Sequence, residues 1–330
     1  MKTLMERKYS TGFTLIEVII GTALFGVLIF FIMYLTDQLS KWSTRSEIAD
    51  RASEESRLLG LTLQTNLEGS RSFQSLSFHV PGTTLSCRGA GFCVEPDRDI
   101  SGNPSVGNDL LYLAVRIPLP VELRLNAPYH GGSDLDVAAV GGGSLLSEVL
   151  NISDYLVLSR IVQSEIVQLT SSVPSTPTGI LALSTTGALN SFLATDNSNG
   201  LPALESSYTR GDFLYKAKLL KIGLDSDSGE VRVQTIGSTA VPIVAARSVR
   251  HFAIHNRLTG SSAAPTGCAS LIGPSPAFER TNWAAIQTSN CYSAVADLRV
   301  NYTVGQVDVA GLSLFPGAAR SEAYTFKVNR

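Results

Sequence analysis

Residues 13–17, Phe-Thr-Leu-Ile-Glu, followed by residues 18–36, VIIGTALFGVLIFFIMYLT, are the stretch on which the reading of this chain turns. The last 19 of these residues carry no charge. With residues 13–16 they make a segment long enough for a hydrocarbon layer, which needs roughly 20 apolar residues in a helix. Lys2, Arg7 and Lys8 stand before it, an arrangement that keeps the N-terminus cytoplasmic and exports the bulk of the chain. A removed secretory signal would show a small-x-small cleavage site after the apolar core. Residues 34–41 (YLTDQLSK) hold none, so a retained anchor is expected. Two residues do not suit a plain anchor. Glu17 lies inside the apolar segment, where an acid costs on the order of 2–3 kcal/mol, and Gly12 sits on its cytoplasmic side, just after the basic leader. Both become intelligible if the chain is cut after Gly12. Phe13 would then carry a free, positively charged amine one helical turn from Glu17, and the carboxylate would have a partner in its own terminus or a neighbour's.

Outward from this stretch the composition shifts. All 14 prolines lie at Pro81 or later, and only Gly12, Gly21, Gly26, Gly60 and Gly69 interrupt the first eighty residues. A stretch without breakers followed by a Gly/Pro/Ser/Thr-rich remainder predicts one long helix leading into a β-rich domain. Past the apolar segment, Leu35, Leu39, Trp42, Ala49, Ala52, Leu59, Leu63 and Leu67 recur at spacings near three and four. Asp37–Lys41 and Glu47–Arg51 are i,i+4 pairs with the acid first, the better order on a helix. A helix from Phe13 to Leu67 would be roughly 80 Å long at 1.5 Å per residue.

The sequence Gly12-Phe13-Thr14-Leu15-Ile16-Glu17 resembles the processing motif of type IV prepilins and type II secretion pseudopilins. The motif is short but specific when it follows a basic leader and opens an apolar helix. The resemblance implies cleavage after Gly12 by a membrane prepilin peptidase, N-methylation of Phe13, and Glu17 as the acid that directs assembly. Major pilins of the family usually carry a kinking proline in the first half of the mature helix. None occurs here, which with the large head argues against the principal filament subunit.

The remainder reads as strands separated by turns. Candidates lie at 110–117, 155–162, 165–170, 212–224, 230–236, 248–255, 294–304 and 322–328, with loops at about 81–108, 126–147, 171–211 and 259–282. The expected fold class is α+β: a long N-terminal transmembrane and amphipathic helix packed on an antiparallel, β-rich head, as in type IV pilins. The expected domains are a leader over 1–12, a transmembrane half-helix over 13–36, an amphipathic half-helix over 37–70, and a head over 71–330 with room for two subdomains. In segment order the head resembles the large W-type minor pilins. The carriers are GNDLLY at 107–112, DYLVLS at 154–159, IVQLT at 166–170, ARSVRHF at 246–252, VADLRV at 295–300 and the closing YTFKVNR at 324–330. J-type pseudopilins share the plan with a smaller head.

Other chemistry is sparse. Cys87, Cys93, Cys268 and Cys291 fall in loop-rich stretches of a domain that should be periplasmic or extracellular, where disulfides persist. Of three pairings the local ones, Cys87–Cys93 and Cys268–Cys291, are favoured over zinc ligation. The second closes a loop of about 24 residues, worth roughly 3 kcal/mol in the chain-entropy model. His251 and His255 alternate with apolar residues as on a strand, which sets their imidazoles about 13 Å apart, too far to share an ion. The acidic turns at 196–200 and 225–230 lack the full ligand set of a calcium loop. No nucleophile, zincin or P-loop motif occurs. The formal charge of −2 offers no broad basic surface, and Lys216, Lys218 and Lys221 read as a solvated patch, which speaks against nucleic acid. Removing residues 1–12 takes Lys2, Arg7, Lys8 and Glu6 with a net +2 and leaves the chain at −4.

The reading is therefore a non-enzymatic subunit with no cofactor and no metal. It is a minor pilin of a tip or priming complex that starts pilus assembly, anchored in the bacterial inner membrane with its head in the periplasm and carried to the cell surface on assembly. Its partners would be other minor pilins and the major pilin, the prepilin peptidase/N-methyltransferase, the inner-membrane assembly platform and the lipid bilayer. A J-type pseudopilin and a pilus-presented adhesin are the alternatives. Mass spectrometry of the membrane-bound protein should find a mature chain beginning at Phe13. A chain beginning at Met1, or beyond Tyr34, would overturn the pilin reading.

Overall fold

The computed structural model describes residues 14–70, 73, 76–80, 85–87, 91–141, 143–160, 164–183, 208–258, 268, 271, 277–289, 291–305 and 320–327. Residues up to Arg51 and residues from Ala52 onward form two compact units. Helix α1 (Leu15–Ser70), 56 residues long, contributes to both. In the first unit its large apolar side chains from Leu15 to Trp42 are exposed, as befits a helix long and apolar enough to cross a bilayer. Polar side chains on this helix are satisfied locally. Thr22 and Thr36 donate their hydroxyls to the carbonyls of Ile19 and Ile32, at 2.9 and 2.8 Å, so neither leaves an unpaired donor among apolar neighbours. Lys41 pairs with Asp37 at 2.7 Å, and Arg51 with Glu47 at 2.5 Å.

In the second unit α1 is followed by β1 (Leu76–His79), β2 (Ser86–Cys87), β3 (Phe92–Arg98), β4 (Pro104–Arg116), β5 (Glu122–Leu125) and β6 (Asp134–Val140). A short helix α2 (Leu146–Val149) precedes β7 (Tyr155–Ser159), β8 (Ser164–Gln168) and β9 (Thr178–Ala182). Then come β10 (Phe213–Asp225), β11 (Glu230–Thr235), β12 (Ile243–Ala246) and β13 (Val249–Leu258). Helix α3 (Trp283–Thr288), a 3-10 turn (Cys291–Ala294), β14 (Val295–Val304) and β15 (Arg320–Lys327) complete the described elements.

Twelve strands form one sheet around β10, which is long enough to serve four neighbours. Its first half pairs with β7 on one edge and β5 on the other, and its second half with β11 and β4. Two half-sheets thus share one strand. The pairings are antiparallel except that β1 lies parallel to β8. A second sheet, β13-β14-β15, is antiparallel throughout. The head is β-rich and the fold α+β, as expected from strand runs separated by turns after one long helix.

Several strands lie where loops were expected. β3, the start of β4, β6 and β9 fall within the Gly/Pro-rich stretches. The reason is weak local preference overruled by pairing. β3 contains Pro96, and a register shift between Pro96 and Arg98 carries Asp97 at φ 55°. β6 contains two aspartates, and β9 runs only five residues. Each is held by a neighbour rather than by its own composition.

The main core lies where one stripe of α1 meets both sheets. Ala52, Ser56, Leu59, Gly60, Leu63, Leu67 and Ser70 are buried, at the three- and four-residue spacing of a single helix face. Leu59, Leu63 and Leu67 each contribute about 1.5–3 kcal/mol by burial. They join Leu110, Leu113, Ile222, Phe252, Val300 and Tyr302 in one cluster. A smaller cluster, with Leu125, Val137, Leu156, Val167 and Leu214, packs around α2 beside the first half of β10. β4 reads as a run of eight buried residues, Asn108 to Val115, because both of its faces are covered.

Polar contacts fix the helix against the second sheet. The Ser56 hydroxyl donates to Glu322 Oε2 at 2.6 Å, and the Tyr302 phenol donates to the Ser56 carbonyl at 2.9 Å. Tyr302 and Tyr324 stack at 5.9 Å with planes 3° apart, and the Tyr324 ring lies over Gly60. A Cβ on Gly60 would fall 2.4 Å from Tyr324 Cζ. Alanine favours a helix by about 1 kcal/mol over glycine, but forced overpacking costs about 1–3 kcal/mol. The contact should win. Gly60→Ala should therefore lower head stability by about 1 kcal/mol in urea unfolding. Adding Tyr324→Leu should turn the same substitution neutral or stabilising; a Gly60→Ala effect that ignores Tyr324 would show that the close approach is not what requires glycine.

Candidate functional site

Gly12 and Phe13 lie outside the described residues. The described site starts at Thr14, one residue before α1. Thr14 donates its backbone N–H to Glu17 Oε2 at 2.9 Å, and its hydroxyl donates to the same oxygen at 2.9 Å. In return the Glu17 N–H lies 3.4 Å from the Thr14 hydroxyl oxygen. This is a reciprocal capping box, Thr-x-x-Glu, which satisfies backbone groups that a helix start leaves orphaned. The first intrahelical bond follows, from the Val18 N–H to the Thr14 carbonyl at 3.2 Å. Leu15 and Ile16 between them are exposed at 79% and 66%, so the turn presents apolar side chains outward while its polar groups close on one another.

The arrangement has a chemical consequence for Glu17. One carboxylate oxygen takes both Thr14 donors, while Oε1 has no hydrogen-bond partner among the described residues. A carboxylate with one oxygen so occupied can still accept from a cation through the other. Thr14 escaped the sequence reading, although its signal, a Thr followed three residues later by Glu before an apolar run, is a known helix-start signature.

The other singled-out residues are dispersed. Cys268 and Cys291 form a disulfide with Cα atoms 5.6 Å apart, and both are fully buried. Trp283 and Tyr292 stack nearby at 6.2 Å, and the Trp283 indole N–H donates to the Ile254 carbonyl at 2.6 Å. Cys93 is disulfide-bonded as well, while the side chain of Cys87 lies outside the described residues. His251 and His255 stand on β13. In the turn at 225–230, Asp225 Oδ1 accepts from the Asp227 N–H at 3.1 Å and Asp225 pairs with Arg232 at 2.7 Å, so its own chain occupies it. The acidic turn at 196–200 lies outside the described residues. The Lys216 ammonium is taken up by Asp154 at 2.7 Å and the Val149 carbonyl at 3.2 Å. No group of three His, Cys, Asp or Glu side chains placed to hold a metal occurs among the described residues.

Residues 7–33 match the family model of the prokaryotic N-terminal methylation motif, which marks type IV pilin-like prepilins. No curated protein and no solved structure matches the chain. The motif covers the basic residues Arg7 and Lys8, the Gly12/Phe13 junction, the capping box and most of the apolar segment. The N-terminal segment thus carries the motif of type IV pilin-like prepilins, common to pilins and pseudopilins, and the helix it opens is long and apolar enough to cross a membrane.

Loss of a helix-start side chain costs about 1 kcal/mol, which is about a fivefold change in a local opening equilibrium. In detergent micelles Thr14→Ala should accelerate exchange of the Val18 amide about fivefold, with amides beyond Leu35 unchanged. Equal exchange in the two proteins would show that the box does not hold the first turn.

Proposed function

We propose that this pilin-like chain is a minor pilin of a type IV pilus that enters a tip or priming complex and helps start filament assembly. The observation that carries the reading is the coincidence of the processing motif over 7–33 with a 56-residue helix and a large β-rich head on one chain. In this reading residues 1–12 are a leader removed after Gly12, and Phe13 becomes the N-methylated terminus. Residues 13–36 anchor the subunit, 37–70 form the amphipathic half of the helix, and 71–330 form the head. Two features support a minor rather than a major subunit. The helix has no proline to kink it, and the head is more elaborate than a filament's repeating unit requires. Cys87–Cys93 and Cys268–Cys291 are the pairings we assign to the exported head.

Glu17 is the assembly residue in this scheme. An unpaired charge in hydrocarbon is costly, so a cationic partner is strongly favoured. The only cation that processing brings to that depth is an N-terminal amine. The subunit's own Phe13 amine serves in the bilayer, and a neighbour's can take its place in a filament, which fixes axial register between helices. A J-type pseudopilin is the second reading, since the motif is common to both systems.

The experiment is complementation of a deletion strain. Wild type should restore piliation. Glu17→Val should be made, inserted and cut after Gly12, yet recover fewer partner pilins and restore piliation only in part, because head contacts also recruit a tip subunit. Full piliation and partner recovery by Glu17→Val would remove the proposed role of the residue. Intact piliation in the deletion strain, with loss of protein secretion instead, would replace the pilus reading by the pseudopilin one.

A further inference from the structure

The edge of β13 that faces away from β14 is closed by groups from elsewhere in the head. The Phe252 N–H donates to Asn108 Oδ1 at 3.0 Å, and the Ile254 N–H to Asp109 Oδ2 at 2.7 Å. Two side chains of β4 thus take the place of a strand, and they join the three-stranded sheet to the twelve-stranded one. Asp109 is fully buried. It is held in turn by Arg280, whose Nε donates to Oδ2 at 3.0 Å and whose Nη2 donates to Oδ1 at 2.7 Å. The same Nη2 also reaches Asp97 Oδ1 at 2.7 Å, and Asp97 accepts from the Gly107 N–H at 2.8 Å. One guanidinium therefore bridges two carboxylates at the joint.

Two half-buried imidazoles stand against this cluster. The His251 ring lies beside Gly107, two residues from Asp109 on β4, within electrostatic reach of Arg280 and Asp109. His255 stands four residues along the same face of β13, paired in register with Arg299 of β14 and within electrostatic reach of Asp109, Arg280 and His251. With both imidazoles neutral, Arg280 and Arg299 are matched by Asp97 and Asp109. A proton added to His251 is an extra cation, partly out of water, near Arg280, and one added to His255 is near both Arg280 and Arg299.

We propose that this joint is a proton-sensitive latch: protonation of His251 and His255 loosens the Asp109–Arg280 clamp and frees the β13 edge from β4, while the twelve-stranded sheet stays folded. The direction follows from linkage. Burial, with the charge of Arg280, holds His251 below its ordinary 6.5 against the pull of Asp109. Burial likewise lowers His255, aided by Arg280, Arg299 and His251 and opposed by Asp109. The closed joint thus refuses protons that the open joint, with its imidazoles in water, accepts. Closure is independent of pH above the ordinary histidine value. It weakens as pH falls through that value towards the depressed one, by about tenfold in the opening equilibrium for each unit by which a histidine is lowered.

The test is residue-resolved amide hydrogen exchange on the full chain in detergent micelles at pH 7.5 and pH 5.0, corrected for intrinsic rates. Phe252 and Ile254 should lose protection at the lower pH, while Ile222 of β10 keeps its own. His251→Gln/His255→Gln should show no such loss. Wild-type protection unchanged between the two pH values would overturn the latch, as would an equal loss in the double variant. Parallel loss at Ile222 would also overturn it, since that is acid unfolding of the whole head. If the double variant does not fold, the imidazole titrations in the wild-type chain decide by NMR, and values at or above 6.5 for both histidines refute the proposal.

Discussion

The head depends on one stripe of one helix. Ala52, Ser56, Leu59, Gly60, Leu63, Leu67 and Ser70 have to meet two sheets that do not hydrogen-bond to each other as strands. Large side chains cannot do this everywhere. Leucines fill the middle of the stripe, whereas glycine and serine stand where the sheets come closest. Gly60 admits the Tyr324 ring from the second sheet, and a Cβ on Gly69 would fall 2.7 Å from Val115 of the first. The small residues set the approach and the leucines supply the burial free energy. A uniformly leucine stripe would bury more area but hold both sheets off the helix.

The same logic separates what was legible in the sequence from what was not. The helix was legible because its evidence is cumulative: no proline, apolar spacing and acid-first charge pairs all agree over dozens of residues. Strands buried on both faces were legible too. Residues 110–115 are a continuous apolar run, and the structure extends that run into β4. β3, β6 and β9 were not, because a strand with Pro96, or with Asp134 and Asp136, owes its form to its partner, the neighbouring β4 for β3 and the distant β9 for β6. Local composition carries no trace of that partner. The branching at β10 was equally hidden, since length alone does not reveal that a 13-residue strand divides its edges among four neighbours.

The candidate site was legible to the extent that its chemistry is local. Gly12, Phe13 and Glu17 lie within six residues and stand out because glycine, a basic leader and a lone acid are all anomalous at the mouth of an apolar helix. Thr14 does not stand out, since a threonine is unremarkable there. Its role appears only when its hydroxyl and N–H are seen to converge on one Glu17 oxygen. The clamp at the joint is the opposite case. Asp109 looks like one more polar residue ahead of a strand, and Arg280 lies 171 residues away in a stretch read as loop. Nothing short of the fold brings them together.

Carboxylates recur where this chain must join apolar parts, and their different settings explain why. Glu17 and Asp109 both stand among apolar neighbours, and both accept from a backbone N–H together with a side chain. At Asp109 the oxygens are fully engaged: Oδ1 accepts from Arg280 and the Asp97 N–H, and Oδ2 accepts from Arg280 and Ile254. A saturated carboxylate of this kind is a fastener, since removing any one donor leaves a buried charge short of a partner. Among the described residues Glu17 is engaged through one oxygen only. A half-used carboxylate on an exposed apolar helix holds its own first turn and keeps an acceptor for a partner outside the chain. That difference in saturation separates the residue that closes the head from the residue proposed to act in assembly.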